Sequence, residues 1–149
     1  LQSYPNAPGQ NHLVFGNITD PDNEFNNQEK IQVTTLRDYI IENKIKNISI
    51  CKIDTEGSDE LVIKGLYEFL EKKVIDYFIL EYQNDDSFQD IKKILNTKGY
   101  KIYYMVRNEN ILVNSEKDYP KNSKSLLNLI AVSPEEEINF KKNFQTSIY

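Results

Sequence analysis

Two runs of apolar residues in an otherwise polar chain predict buried β-strands, Ile48–Ile53 and Tyr77–Tyr82. The apolar residues of the first run are nearly continuous rather than alternating, which is typical of strands buried on both faces in parallel sheets. Between the runs, Ser58 begins a helical pattern with two acids in its first turn. The buried stripe of that helix is predicted to consist of Leu61, Val62, Leu66, Phe69 and Leu70. A strand, a helix and a second strand in this order predict parallel strands joined by a right-handed crossover.

Further helices are predicted on each side of this unit. Thr35 starts one of them, because Asp38 stands three residues later in a variant of the capping box. Its apolar face is predicted to consist of Leu36, Tyr39 and Ile40. Ser87 starts the other, and Gly99 marks its C-terminal end. The inward residues of that second helix are predicted to be Phe88, Ile91, Ile94 and Leu95.

Strands and a short helix close the chain. Tyr100–Val106 and Ile111–Asn114 flank a polar tetrapeptide and predict a hairpin. Leu126–Val132 is the last predicted strand, and a tail helix is predicted around Ile138–Phe144. We therefore expect an α/β fold, an open twisted sheet with helices on its faces and antiparallel closing strands at one edge.

Length and composition fit one globular domain. The chain has 149 residues, of which 39% are hydrophobic and 28% charged. We expect residues 1–30 to form a loop-rich entry, 31–133 an α/β core and 134–149 the tail. The net charge of −5 weighs against a nucleic-acid-binding surface, which is usually basic.

Neither a membrane segment nor a signal peptide is visible in the sequence. No apolar stretch is long enough to cross a bilayer, and the N-terminus reads LQSYPNAPGQ. One cysteine, Cys51, rules out an internal disulfide. We therefore expect a cytoplasmic protein without a membrane partner. Because the first residue is Leu1 rather than Met, we expect a processed chain or part of a longer one.

Two acids mark the ends of the two buried strands. Asp54 directly follows the first strand and Glu81 lies at the end of the second. Ligands of open α/β sheets bind beyond the carboxyl ends of the strands, and neighbouring strands are roughly 4.8 Å apart. We expect the two acids to converge, with Glu56 joining from the loop and Gly57 allowing a close turn.

Three chemical uses of these acids remain open. Asp54 and Glu81 could bind a divalent metal ion, which prefers carboxylate oxygens. One acid could act as a general base towards a substrate hydroxyl, or the group could accept hydrogen bonds from a sugar. The structural alternative is that Asp54 caps the helix or its loop and that Glu56 is solvated. Glu81 fits that alternative less well, since its apolar neighbours remove it partly from water.

Other polar residues are weaker candidates for the site. Tyr82 and Gln83 follow Glu81 and suit hydrogen bonding to a substrate. His12, the only histidine, could serve as a base or bind substrate, although a lone loop histidine is more often simply exposed. Cys51 has no nearby histidine and is not expected to be a nucleophile.

Several segments together carry a family resemblance. They read VTTLRDYI, ICKIDTEGSDELVIKGL and YFILEY, followed by GYKIYYM and NLIAVSP, between about Ile31 and Pro134. They resemble the C-terminal half of the FkbM family of S-adenosylmethionine-dependent methyltransferases. The chain departs from the family wording where TLRD replaces TLDD and where Thr55 replaces valine.

The resemblance implies a class I methyltransferase sheet and methyl transfer from S-adenosylmethionine to an oxygen, often of a sugar or polyketide. It makes Asp54, Glu56 and Glu81 the acids of the catalytic face. The family's glycine-rich cofactor turn belongs to a segment that should precede LQSYPNAPGQ. We therefore expect the chain to be about half of the domain, completed by an N-terminal half or associated as a homo-oligomer.

Two classes of function follow from the sequence. The first is an O-methyltransferase, or part of one, that acts on a small-molecule or glycan acceptor. The second is a non-catalytic remnant that keeps the acidic face and binds glycans or a protein. Binding of S-adenosylmethionine distinguishes the two.

Overall fold

The computed structural model describes residues 32–55, 57–81, 86–106, 111–113 and 126–143. These residues form five helices and five strands. The helices are α1 (Leu36–Glu42), α2 (Asp59–Gly65), α3 (Tyr67–Glu71), α4 (Asp86–Thr97) and α5 (Glu137–Asn143). The strands are β1 (Ile48–Ile53), β2 (Ile75–Glu81), β3 (Lys101–Val106), β4 (Ile111–Val113) and β5 (Leu126–Val132).

The strands form one mixed sheet in the order β1-β2-β5-β3-β4. β1 and β2 are parallel, as the crossover predicts, and the remaining neighbours pair antiparallel. The chain thus has the predicted α/β fold, and the β3–β4 pair lies at the predicted antiparallel edge. The last strand does not lie at the edge, because β5 is inserted between β2 and β3.

The main core lies between one face of the sheet and the helices α2, α3 and α4. Phe78 and Leu80 of β2 point into it, next to Ile53 of β1 and the fully buried Leu95 of α4. The opposite face carries a smaller cluster in which the Phe140 ring of α5 packs against Tyr103 and Tyr77. The sheet therefore has one thoroughly covered face and one covered mainly by α5.

The helix ends follow from local sequence signals. Thr35 caps α1, since its hydroxyl accepts a hydrogen bond from the Asp38 N–H at 3.0 Å, as predicted. Helix α4 ends in a Schellman motif in which Gly99 has a φ of +84° and the N–H of Tyr100 returns to the Leu95 carbonyl. These ends direct the chain from each helix into the next strand.

Several predictions about α1, β1 and the helical region that follows β1 are wrong. The predicted single helix is divided into α2 and α3 at Leu66. Leu61 is 62% exposed instead of buried, and Ile63, which was not predicted, is fully buried. β1 is not buried on both faces, because Ile50 is 61% exposed on the face away from the main core. Tyr39 of α1 is likewise half exposed instead of buried.

Several predictions fall on residues outside the described ranges. They concern the loop-rich entry at residues 1–30 and the hairpin turn at residues 107–110. In the part of the chain that the structure describes, no helix is both long and apolar enough to cross a membrane.

Candidate active site

Asp54 and Glu81 lie at the carboxyl ends of the two parallel strands. Asp54 is the first residue after β1, and Glu81 is the last residue of β2. In the register of these strands Ile53 is opposite Leu80. The next residue on each strand is an acid, so Asp54 and Glu81 lie at the same carboxyl-terminal end of the sheet. Asp54 is exposed and Glu81 is half-buried. The two carboxylates are therefore neighbours on a part of the sheet that a ligand can reach.

A lysine two residues before Asp54, Lys52, belongs to the same group of charged side chains. Side chains alternate along a strand, so Lys52 and Asp54 lie on the same face. The Lys52 ammonium donates a hydrogen bond to the Asp54 carboxylate, with Nζ and Oδ2 2.5 Å apart. This hydrogen bond and the negative charge of Asp54 raise the pKa of Lys52, and the charge of Glu81 adds to the effect. The ammonium of Lys52 is thus in the electrostatic field of both acids.

Sequence reasoning did not include Lys52 in the site. The signal was available, because the i, i+2 spacing of Lys52 and Asp54 in KIDTEG places both side chains on one face of a strand. The site is therefore a group of two carboxylates and one ammonium.

The turn after Asp54 is closed by Asp59 of α2. The backbone N–H and the hydroxyl of Thr55 both donate to Oδ1 of Asp59, at 2.8 and 2.5 Å. Gly57 has a φ of +98°, in the left-handed region that favours glycine, so the predicted role of Gly57 in the turn is confirmed. Ser58 occupies the N-cap position, but its side chain makes no capping hydrogen bond, so that part of the prediction is wrong. Because Asp59 closes the loop, Asp54 is not needed to cap it.

The Cys51 thiol lies on the other face of β1 from Lys52 and Asp54. Its strand neighbour across the sheet is Phe78, which points into the main core. Burial raises the pKa of the Cys51 thiol, which keeps it protonated near neutral pH. A protonated thiol is a poor nucleophile, and Cys51 therefore contributes to packing.

The remaining predicted site residues are Glu56, Tyr82, Gln83 and His12, and all four lie outside the described residues. Their proposed roles stay predictions. The strand neighbour of Glu81 on its other side is Asn128 of β5, which sequence reasoning did not include. No local signal could have found Asn128, because its position depends on where β5 enters the sheet.

Comparison with known proteins identifies the family. A family model for the methyltransferase FkbM domain matches residues 3–102, which is more than half of the chain. The chain belongs to the FkbM methyltransferase family. No curated protein and no solved structure matches it.

The FkbM match covers both site acids and the elements from α1 to α4. It begins nearer the N-terminus than the resemblance in the sequence, which starts at about Ile31. It also ends earlier, at residue 102, so the closing strands β4 and β5 lie beyond the matched range. Asn128, the strand neighbour of Glu81, also lies outside the match.

Membership of a methyltransferase family implies use of S-adenosylmethionine in general. The described acids Asp54 and Glu81 with Lys52 leave a net negative charge at this end of the sheet, which is compatible with a cationic ligand. A glycine-rich cofactor turn is not among the residues that the structure describes.

A divalent metal ion at Asp54 and Glu81 remains a prediction. Among the described residues, no three or more His, Cys, Asp and Glu side chains are grouped in a way that could hold a metal ion. The two acids alone supply fewer ligands than hard divalent cations usually take from protein and water. The ammonium of Lys52 already provides a positive charge beside Asp54.

Proposed function

We propose that this chain is an S-adenosylmethionine-dependent O-methyltransferase of the FkbM type that acts on a hydroxyl of a sugar or a related small molecule. The observation that carries the proposal is the position of Asp54 and Glu81 side by side at the carboxyl ends of β1 and β2. Carboxylates at this edge of an α/β sheet can accept hydrogen bonds from neighbouring hydroxyl groups of one acceptor. Family membership supports the reaction class.

Transfer to an alcohol oxygen requires removal of the hydroxyl proton as the new carbon–oxygen bond forms. A carboxylate within hydrogen-bond reach of that hydroxyl can accept the proton. We propose Glu81 as this base, because Asp54 already accepts a hydrogen bond from Lys52. S-adenosylmethionine supplies the methyl group from its positively charged sulfur.

We propose that Asp54 and Lys52 orient the acceptor rather than accept its proton. The Lys52 ammonium holds one oxygen of Asp54, and the second oxygen can accept a hydrogen bond from an adjacent hydroxyl of the acceptor. The held carboxylate of Asp54 and the neighbouring carboxylate of Glu81 can then orient a diol, which is the arrangement that sugars present. Orientation of the attacking oxygen is expected to supply much of the rate.

The test is methyl transfer by the purified chain from S-adenosylmethionine with a labelled methyl group to a panel of monosaccharides and polyols. We expect label on a sugar oxygen, and a loss of roughly 10²-fold to 10⁴-fold in Glu81→Gln. Asp54→Asn is expected to lose less and mainly to raise KM. Asp76→Asn is the matched control, since Asp76 lies on β2 at the end away from the site.

Calorimetry with S-adenosylmethionine and S-adenosylhomocysteine separates the two classes of function. Binding of both, together with transfer, supports the enzyme. Absence of cofactor binding by this chain and by any longer product of its gene, with the fold intact, contradicts the proposal. That result would leave a non-catalytic glycan- or protein-binding module.

A further inference from the structure

One row of residues crosses the sheet at the end where the two acids lie. Asn128 of β5 is the strand neighbour of Glu81, and Met105 of β3 is in turn the strand neighbour of Asn128. The register of β1 with β2 places Asp54 on the other side of Glu81. Across β1, β2, β5 and β3 the row therefore reads Asp54, Glu81, Asn128 and Met105.

The side chains of this row lie on one face of the sheet, the face that carries α5. Side chains two or four residues apart on a strand share a face. Asn128 is two residues from Ile130, which belongs to the cluster around the Phe140 ring. Glu81 is four residues from Tyr77, which packs against the same cluster. The registers place the other two members of the row on this face as well.

A β-bulge lies directly beside Asn128. Met105 pairs with Asn128 whereas the next residue, Val106, pairs with Leu126, so β5 has one extra residue at this point. A bulge bends its strand, increases the local twist and re-aims side chains, and bulges are common next to active sites. The sheet is thus irregular at the strand position that borders Glu81.

Asn128 and Met105 add chemistry that the two acids lack. Ionised carboxylates only accept hydrogen bonds, whereas the side-chain amide of asparagine both donates and accepts them. Asn128 is half-buried, and the apolar side chain of Met105 is 37% exposed beside it. An amide next to an adaptable apolar side chain is complementary to an acetamido group, which combines a carbonyl, an N–H and a methyl group.

We propose that the acceptor is an N-acetylated amino sugar, whose acetamido group binds to Asn128 and Met105. The inference rests on the proposed function, since it names the acceptor class of that reaction. Asn128 donates a hydrogen bond to the acetyl carbonyl, and the acetyl methyl group packs against Met105. Glu81 takes the proton of the reacting hydroxyl as its oxygen bonds to the methyl carbon and the carbon–sulfur bond of the donor breaks.

Three consecutive ring substituents of such a sugar match three consecutive strands. One hydroxyl lies at Asp54, the reacting hydroxyl at Glu81 and the acetamido group at Asn128. Substituents of a sugar ring point outwards, so their partners are further apart than the substituents, as strands about 4.8 Å apart require. A sugar with only hydroxyl groups explains less of the row, because it could bond to Asn128 but has no apolar group for Met105.

The test measures binding rather than transfer, so that its result is separate from that of the reaction. Two matched pairs, glucose with N-acetylglucosamine and galactose with N-acetylgalactosamine, differ within each pair only in the acetamido group. Each sugar is titrated into the whole ¹⁵N-labelled chain, with and without S-adenosylhomocysteine. We expect at least one acetamido sugar to bind roughly tenfold or more tightly than its counterpart. It should also shift the side-chain amide signal of Asn128, which the spectrum of Asn128→Asp identifies.

Variants of Asn128 test whether it is the source of this preference. Asn128→Ala should bring the affinities of the two members of a pair within about twofold of each other, by weakening only the acetamido sugar. Asn128→Gln keeps the amide and should recover part of the preference. Asn47→Ala is the matched control, since Asn47 donates to Asp76 at 2.9 Å at the other end of these strands. Urea denaturation checks that each variant is folded.

The proposal is overturned if both members of each pair bind equally, if no acetamido sugar binds, or if Asn128→Ala weakens both members alike. Transfer of a labelled methyl group to the same sugars separates this proposal from the reaction. Selective binding of an acetamido sugar without transfer would contradict the methyltransferase proposal alone. Equal transfer to both members of a pair would contradict the acetamido assignment alone.

Discussion

The ammonium of Lys52 and the carboxylate of Asp54 are 2.5 Å apart, and they lie on one face of β1. Their side chains are 59% and 40% exposed, so water screens their attraction and the pair contributes little to the free energy of unfolding. The contact does fix one oxygen of Asp54. The carboxylate of Glu81, half-buried on the neighbouring strand, accepts no hydrogen bond from a described side chain. The two acids are therefore in different states, one held by a cation and one available to a ligand.

Lys52→Met should reduce methyl transfer while leaving the protein stable. We expect kcat/KM to fall by roughly tenfold to a hundredfold, because Asp54 would no longer be held in one orientation. The free energy of unfolding should change by less than about 0.5 kcal/mol, as for other exposed ion pairs. The measurements are initial rates with labelled S-adenosylmethionine and urea denaturation. Lys52→Arg keeps the charge and should recover most of the rate.

Lys72→Met is the control for this prediction. Lys72 forms a comparably exposed ion pair with Glu68, also at 2.5 Å, on a helix away from the site. Its loss should affect stability as little as the loss of Lys52 and should leave transfer unchanged. Equal activity of the Lys52→Met and Lys72→Met variants would mean that Lys52 does not position Asp54.

The positions of both acids could be predicted from the sequence because they follow from local signals. Each apolar run defines a strand, the intervening helix makes the strands parallel, and Asp54 and Glu81 stand at their ends. The neighbour Asn128 could not be predicted in this way. It reaches Glu81 only because β5 is inserted between β2 and β3, a pairing of distant segments that no local pattern records.

The buried stripe between β1 and β2 was predicted wrongly for a definite physical reason. The prediction assumed one continuous helix with 3.6 residues per turn. Ile63, Leu66 and Leu70 are fully buried at the i, i+3, i+7 spacing of a single helix face, and Leu61 lies on the opposite face. Ile63 is consequently buried, whereas Leu61 lines a groove of 490 Å³ between α1 and α2 together with Val33 and Tyr39.

A pair of alanine variants tests this assignment. Ile63→Ala should lower the free energy of unfolding by about 2 to 5 kcal/mol, because it leaves a cavity in the main core. Leu61→Ala should change it by less than about 0.5 kcal/mol, since Leu61 is 62% exposed. Urea denaturation gives both values. Equal losses in the two variants would contradict the burial of Ile63 and the exposure of Leu61.

Lys44→Gly should stabilise the protein. Lys44 follows α1 with a φ of +52°, in the left-handed region where a side chain costs about 1 kcal/mol relative to glycine. Its N–H donates to the Ile41 carbonyl in a Schellman motif, which glycine would keep. We expect a gain of about 0.5 to 1 kcal/mol in the free energy of unfolding.

Lys73→Gly is the informative comparison for Lys44→Gly. Lys73 has nearly the same φ, +53°, but its ammonium donates hydrogen bonds to the carbonyls of Leu70 and Lys98 at two helix ends. Loss of these bonds should cancel the backbone gain. If Lys73→Gly stabilised the protein as much as Lys44→Gly, these hydrogen bonds would make no measurable contribution to the free energy of unfolding.

Stability at alkaline pH should depend on Tyr100. Its buried hydroxyl donates to the backbone carbonyl of Ile75 at 2.7 Å. Burial raises the pKa of Tyr100, and the negative charges of Glu135 and Asp76 add to the effect. A pKa that is higher in the folded state stabilises the fold fully below the unfolded value of about 10 and ceases to do so as pH rises through the folded value.

Tyr100→Phe should therefore change both the level and the pH dependence of stability. At about pH 7 the variant should lose about 1 kcal/mol, because the Ile75 carbonyl loses its partner. Above about pH 10 its free energy of unfolding should fall less steeply than that of the native chain, since one proton-linked group has been removed. The slope should not vanish, because burial also raises the pKa of Tyr77 and Tyr103. Urea denaturation across this pH range measures both slopes, and an unchanged slope in Tyr100→Phe would show that Tyr100 ionises equally readily in the folded and unfolded chain.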